Sequence, residues 1–227
     1  LENSKNIDKI IIATDCEKIK QEVAKLNFKK VEIFDRSIEN ASDTASTESV
    51  LLEYINKTNL SDDDFFVLVQ VTSPFLKPND IDKAFELITS KDGDSLLSCV
   101  RVKRFFWSDN GSAINYDPIY RPRRQDFKGT LMENGAFYIN TVKGIKSSQN
   151  RLSGKIITYE MPEHTSVEID EPLDWDQAEN LFYRYDLSKQ IDFNKIKLFM
   201  SDVDGTLTDA GMYYDQSGNA YATRRVE

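Results

Sequence analysis

The chain has 227 residues, 40% of them hydrophobic and 30% charged, with nine Gly and six Pro. This excludes a collagen-like, low-complexity or disordered polymer and leaves room for one large domain, or one domain and part of another. A formal net charge of −9 argues against a general binder of nucleic acid or anionic membrane, and Cys16 and Cys99 are too few for a disulfide framework or a four-cysteine zinc site. No apolar run approaches the ~18–20 residues of a spanning helix. Residues 1–12 carry no charged leader, apolar stretch or small-residue cleavage site, so a reducing cytoplasm is the expected compartment. Because the chain begins with Leu1 rather than Met, and ends soon after a fresh motif opens, either end is expected to be cut.

Lys9-Ile-Ile-Ile-Ala-Thr-Asp15 is β-branched and apolar, the pattern of a strand buried on both faces, and Asp15 is placed to cap the helix after it. Ile19, Val23 and Leu26 then fall on one helical stripe. Residues 31–34 predict a strand and 35–46 a polar loop. Val50, Leu51, Tyr54 and Ile55 restore helical spacing, and residues 65–69 give the strongest strand signal. After Pro78, Asn79 is placed to cap a helix presenting Ile81, Ala84, Phe85 and Ile88, and residues 95–102 predict another strand. This alternation predicts a mostly parallel sheet with helices on both faces, binding its ligands beyond the carboxyl ends of the strands. Residues 105–128 interrupt it with an aromatic, basic, turn-rich excursion. Residues 133–140 and 155–159 return to strand alternation, and 174–185 predict a helix. Residues 184–195 read as a linker before a new strand at 196–200 opens a second unit.

Several clusters could carry chemistry. Between Arg101 and Lys128 stand seven basic and three acidic residues. Such an island suits a small anion, because arginine offers a planar fork to carboxylate or phosphate, and a solvated face or a nuclear-import patch at Arg121-Pro-Arg-Arg124 are the alternatives. Gln70-Val-Thr-Ser-Pro74 puts an amide and two hydroxyls where the best strand ends, as a ligand contact or a polar turn. Asp43-Thr-Ala-Ser46-Thr47 supplies more hydroxyls, as contacts or a helix cap. In Ser166-Val-Glu168-Ile-Asp170 two carboxylates stand two apart, so an extended backbone points both the same way, as a hard cation or an exposed acidic pair would have it. His164, the single histidine, reads as a surface residue.

Taken in order, Ile-Ile-Ile-Ala-Thr-Asp15, Ser42-Asp-Thr-Ala-Ser-Thr47, Gln70-Val-Thr-Ser-Pro74, Arg123-Arg-Gln-Asp126, Glu133-Asn-Gly-Ala-Phe-Tyr138 and Ser166-Val-Glu-Ile-Asp170 resemble the CMP-sialic acid synthetases, or N-acylneuraminate cytidylyltransferases. Phe106-Trp-Ser108 and the run 121–138 are similar to the two-domain animal members. The resemblance covers roughly residues 7–183 and implies a Rossmann-like nucleotidyltransferase domain over 1–183 that transfers CMP from CTP to a nine-carbon sialic acid and releases pyrophosphate. It also implies that Gln70, Tyr138, Arg124 and Lys103 meet the sugar acid, that Ser46 and Thr47 meet the cytidine, and that Glu168 and Asp170 hold Mg²⁺, Asp170 acting in catalysis. Residues 105–128 would form a protruding homodimerisation arm. Two departures stand out. Glu168 replaces the usual Asp, and nothing before Leu1 matches the family's first strand and Gly/Arg/Lys-rich phosphate loop, so residues 1–227 alone are expected to be impaired. An eight-carbon acidic sugar as substrate, and a non-catalytic sugar-binding or assembly protein, are the rival expectations.

Leu198-Phe-Met-Ser-Asp202-Val-Asp204-Gly-Thr-Leu-Thr-Asp209 resembles the opening motif of haloacid dehalogenase-like phosphatases of acidic sugar phosphates. The resemblance makes Asp202 the nucleophile, Asp204 the general acid, both of them Mg²⁺ ligands, and residues 196–227 the start of a second α/β domain able to join a tetramer.

Overall fold

The computed structural model describes residues 1–42, 44–187, 212–214 and 220–222. They fall in two compact units, Leu1–Phe182 and Tyr183–Glu227.

The first unit begins with β1 (Ile10–Ala13), α1 (Glu17–Lys25) and β2 (Val31–Phe34), and continues with α2 (Thr47–Lys57), β3 (Phe65–Val69), α3 (Pro78–Ser90) and β4 (Ser95–Val102). After the excursion come β5 (Thr130–Thr141), α4 (Val142–Ser148), β6 (Ile156–Met161) and α5 (Pro172–Phe182). Strands β1 and β2 pair in parallel, and the other four form a sheet in the order β3-β5-β4-β6. There β5 runs antiparallel to both β3 and β4, whereas β4 and β6 are parallel. The sheet is therefore mixed: β3, β4 and β6 share a direction as expected, but β5 returns between them.

Strand alternation sorts the core into two layers. Val67 and Val69 of β3 pack, with Leu96, Val100, Phe137, Ile139 and Ile157, against Ile81, Ala84 and Ile88 of α3. Phe66, the residue before Val67, turns the other way, to Ile55 of α2 and to Val142 and Ile145 of α4. Helices thus cover both faces, as the alternating pattern implied.

Three local expectations are corrected. β1 is only half-buried along its length rather than enclosed, because among the described residues it has a strand neighbour on one edge alone, β2. The stripe on α1 is likewise uncovered, with Ile19 47% and Leu26 58% exposed. Neither proposed cap residue caps. α1 starts from Cys16 with no side-chain cap, and Asp15 instead accepts from Arg36. In α3, Pro78 takes the first helical turn, where its missing N–H costs nothing, and the N–H of Lys77 donates to Asp80 at 3.1 Å, leaving Asn79 inside the helix. Ser46 does cap α2, accepting from the Ser49 N–H at 3.1 Å.

In the second unit, β7 (Met212–Tyr214) and β8 (Ala220–Ala222) pair antiparallel. The strand expected at 196–200, most of the expected linker, and Asp202 and Asp204 lie outside the described residues. Among the described residues no helix is long and apolar enough to cross a membrane.

Candidate active site

The site begins where β3 ends. The Gln70 N–H donates to the Ala136 carbonyl at 3.2 Å and the Gln70 carbonyl accepts from the Ser73 N–H at 3.2 Å, so the turn is pinned to β5 and closed on itself. A third backbone bond, from the Ile169 N–H to the Thr72 carbonyl at 2.8 Å, docks the acidic segment on that turn. Nearly a hundred residues apart in sequence, Gln70 and Glu168 are neighbours.

What brings them together is a bulge. The β4–β5 register shifts between Leu97, opposite Tyr138, and Cys99, opposite Glu133, so β5 carries extra residues there. Within the bulge Gly135 has φ +65°, and a Cβ on it would lie 2.6 Å from Oε1 of both Gln70 and Glu168. The missing side chain leaves room for an amide and a carboxylate to crowd over one backbone carbon. Next to it Asn134 is buried and donates to the carbonyl and hydroxyl of Thr165, at 3.3 Å each, holding the 3₁₀ turn Glu163–Ser166 that leads into Glu168.

The electrostatics are those of crowded negative charge. Partial burial pushes the Glu168 carboxyl above its ordinary value, and Asp170 and then Glu133 push it further. Glu133 accepts from the Tyr138 hydroxyl. Burial first, and then Glu133, drive Tyr138 up to about 12, so it stays a neutral donor. The Arg151 guanidinium lies 5.0 Å from the centre of the Tyr138 ring, and its Nε donates to Glu48 at 2.6 Å. Glu48 sits in the first turn of α2 beside Ser46 and Thr47. Of the expected site residues, then, Gln70, Glu168, Asp170 and Tyr138 gather around the β5 bulge, whereas Ser46 and Thr47 only precede Glu48, the residue that Arg151 links to Tyr138.

Lys103 and Arg124 stand elsewhere. With Arg104, Phe105, Arg121, Pro122 and Arg123 they line a separate cavity of about 500 Å³. Its one aromatic lining residue, Phe105, belongs to a ring cluster beside it: Arg121 lies 4.7 Å over Phe105 and 5.7 Å from Tyr116, and the Phe105 ring is 4.3 Å from Tyr116 and 5.0 Å from Phe127. Lys103, Arg104, Arg121, Arg123 and Arg124 are all exposed, as a solvated face would have them. Among the described residues no hydrogen bond or ion pair joins Lys103 or Arg124 to Gln70, Tyr138 or the acidic pair. His164 is half-buried against Phe75, with ring centres 5.6 Å apart.

Glu133, Arg151, Glu48 and Arg36 escaped the sequence reading. Glu133 lies in a quoted motif, but only the bulge turns it towards Tyr138. Arg151 and Glu48 are separated by 103 positions, so no local spacing could pair them. Arg36 is held by Asp15 and has a buried Nε with no protein partner.

A family model described as cytidylyltransferase matches residues 1–202. The chain belongs to the cytidylyltransferase family. It is 35% identical over 225 residues to N-acylneuraminate cytidylyltransferase B of Danio rerio, covering 96% of this chain and 52% of that protein. It is 34% identical over 223 residues to the N-acylneuraminate cytidylyltransferase of Oncorhynchus mykiss, covering 95% and 50%. The chain thus spans about half the length of the curated relatives it matches. Among solved structures, a CMP:2-keto-3-deoxy-manno-octonic acid synthetase complexed with CTP superposes with a TM-score of 0.56 at 15% identity, covering 80% of this chain and 83% of that one. The 4-diphosphocytidyl-2C-methyl-D-erythritol synthase of Anaerococcus prevotii gives 0.57 at 14%, covering 80% and 82%. At such identities these two structures establish the shared α/β fold alone.

Proposed function

We propose that this chain carries the sugar- and metal-binding part of an enzyme that transfers CMP from CTP to a nine-carbon sialic acid. The observation that carries the reading is the meeting of Gln70 and Glu168 over Gly135, with Tyr138 and Asp170 alongside. An amide and a neutral phenol there suit the hydroxyls and amide of a polar sugar, while adjoining carboxylates suit a cation bound to a triphosphate. The names of the Danio and Oncorhynchus relatives point to the same substrates.

In the reaction the anomeric hydroxyl oxygen bonds to the α-phosphorus, the bond from that phosphorus to the pyrophosphate oxygen breaks, and the hydroxyl proton is released. Gln70 and Tyr138 orient the sugar, and Ser46 and Thr47 position the cytidine. Glu168 and Asp170 fit a divalent cation: they are hard oxygen donors, and burial and then repulsion from Asp170 raise Glu168. Among the described residues no group of three acidic, His or Cys side chains could hold a metal unaided, so phosphate oxygens would complete the shell. Bound there, Mg²⁺ would neutralise triphosphate charge and acidify the attacking hydroxyl. Arg124, on the excursion, and Lys103, just before it, would meet the sugar carboxylate of a second protomer through a homodimer arm at 105–128.

The test is direct. The full-length protein, given CTP, N-acetylneuraminate and Mg²⁺, should release pyrophosphate and form CMP-sialate in equal amounts. Absence of product, or preference for an eight-carbon acid, would remove the assignment.

The motif at Asp202 and Asp204 extends the reading to a second activity of the whole protein, hydrolysis of sialic acid 9-phosphate. A carboxylate attacks phosphorus, the sugar oxygen leaves with a proton from the second carboxyl, and water then cleaves the aspartyl phosphate. Asp202→Asn should cut phosphate release at least about 100-fold, leaving cytidylyl transfer intact. Unchanged release would end this part of the proposal.

A further inference from the structure

We propose that Arg151 is a positioning residue for the sugar acid, holding the Tyr138 ring and tying it to the nucleotide-side helix α2. The inference rests on the cytidylyl-transfer reading above.

The backbone around Arg151 is fixed first. α4 ends at Gln149 in the left-handed conformation, φ +54°, with its N–H donating to the Ile145 carbonyl. Buried Asn140 donates to the Arg151 carbonyl at 3.2 Å and accepts from the Ser153 hydroxyl at 3.1 Å. Buried Ser95 then donates to the Ser153 carbonyl at 2.7 Å and accepts from its N–H at 3.0 Å. These bonds hold the backbone from Arg151 to Ser153.

The Arg151 side chain lies between the two halves of the site. On one side the guanidinium faces the ring of Tyr138, and on the other its Nε donates to Glu48, one residue after Thr47. The Arg151 and Glu48 side chains are only 21% and 22% exposed, so this charge-assisted bond is less screened than a surface pair. The Tyr138 hydroxyl is engaged by Glu133 and also interacts with Arg151, so the guanidinium meets the phenol at its oxygen as well as over its ring. Two grips on one phenol, from β5 and from the 149–154 turn, define where a sugar would rest. Neither Arg151 contact involves the acidic pair, so losing them should weaken sugar binding and leave the chemical step nearly unchanged.

The full-length enzyme should be assayed at saturating CTP with varied N-acetylneuraminate. Arg151→Leu is expected to raise KM for the sugar about tenfold, with kcat within about threefold of wild type, the size of losing one charge-assisted contact and one ring contact. Arg151→Lys keeps a cation for Glu48 but has no plane for the ring, so it should recover only part of the loss, to about three- to fivefold. Glu48→Gln, nearly isosteric and spared any folding defect of the leucine variant, should raise the same KM about two- to threefold. An active wild type whose KM for the sugar is unchanged in Arg151→Leu and Glu48→Gln, or fully restored by lysine, overturns the inference alone. Loss confined to kcat overturns it too. A wild type that forms no CMP-sialate overturns both this and the functional reading.

Discussion

Glu168→Gln should lower CMP-sialate formation by about 100- to 1,000-fold while slightly raising the melting temperature of the protein, the loss being typical of one charged contributor to transition-state stabilisation. Glutamine keeps the shape of the side chain and, like it, can sit beside Gln70 over Gly135. The backbone bond from Ile169 to Thr72 is untouched, so the segment stays docked. What disappears is one negative charge from a place where partial burial, Asp170 and Glu133 all oppose it. A carboxyl raised in the folded state contributes stability below its unfolded pKa that is lost as pH rises through its folded value. At pH 7 wild-type Glu168 is therefore under strain that the glutamine variant lacks. With a chelator present, the variant should melt about 1–2 °C higher at pH 7, a small shift because the group is only partly buried, and the gap should close below about pH 4 as Glu168 protonates. Added Mg²⁺ should stabilise the wild type more than the variant. Calorimetry across pH, with and without the cation, checks each step; a variant that melts lower at pH 7 would mean that Glu168 supports the fold, not the chemistry.

The same residue shows what was readable in the sequence. Periodicity located the helices that build the core, because Ile81, Ala84 and Ile88, or Leu51, Tyr54 and Ile55, are buried by local geometry that repeats every turn. The paired carboxylates at 168 and 170, the polar turn at Gln70 and the tyrosine at 138 were also visible as motifs. Their meeting was not. It depends on a register shift in β5, which extra residues create and no alternation pattern announces. Caps misled for a related reason: Asp15 has the right chemistry to cap α1, but Arg36, 21 positions later, takes its carboxylate. A propensity describes what a side chain can do alone, and long-range partners choose among the options. Burial of β1 failed in the same way, since a β-branched run fixes strand formation but not how many neighbours flank the strand.

Gly135 is where this dependence on long-range structure can be tested most sharply. Gly135→Ala should cut kcat/KM by about 100-fold or more, because a displacement of about 1 Å in positioned groups costs that much. Two penalties act together. Alanine at φ +65° pays about 1–2 kcal/mol for its backbone conformation, and its Cβ would stand 2.6 Å from oxygens of Gln70 and Glu168, which must both move away. Gly111 separates the two. It has φ +81°, but a Cβ there meets nothing within 4 Å. Gly111→Ala should lose a similar 1–2 kcal/mol, roughly, from the backbone term with turnover close to wild type. Chemical denaturation and two-substrate kinetics on both variants distinguish the penalties. Equal losses of activity would mean that strain alone was being measured. Loss in Gly135→Ala, at matched stability, would place the displaced Gln70 and Glu168 in the chemistry. Shortening the carboxylate then supplies the converse: in the double variant Gly135→Ala with Glu168→Asp, one of the two clashing oxygens is withdrawn by one methylene, and part of the lost activity should return.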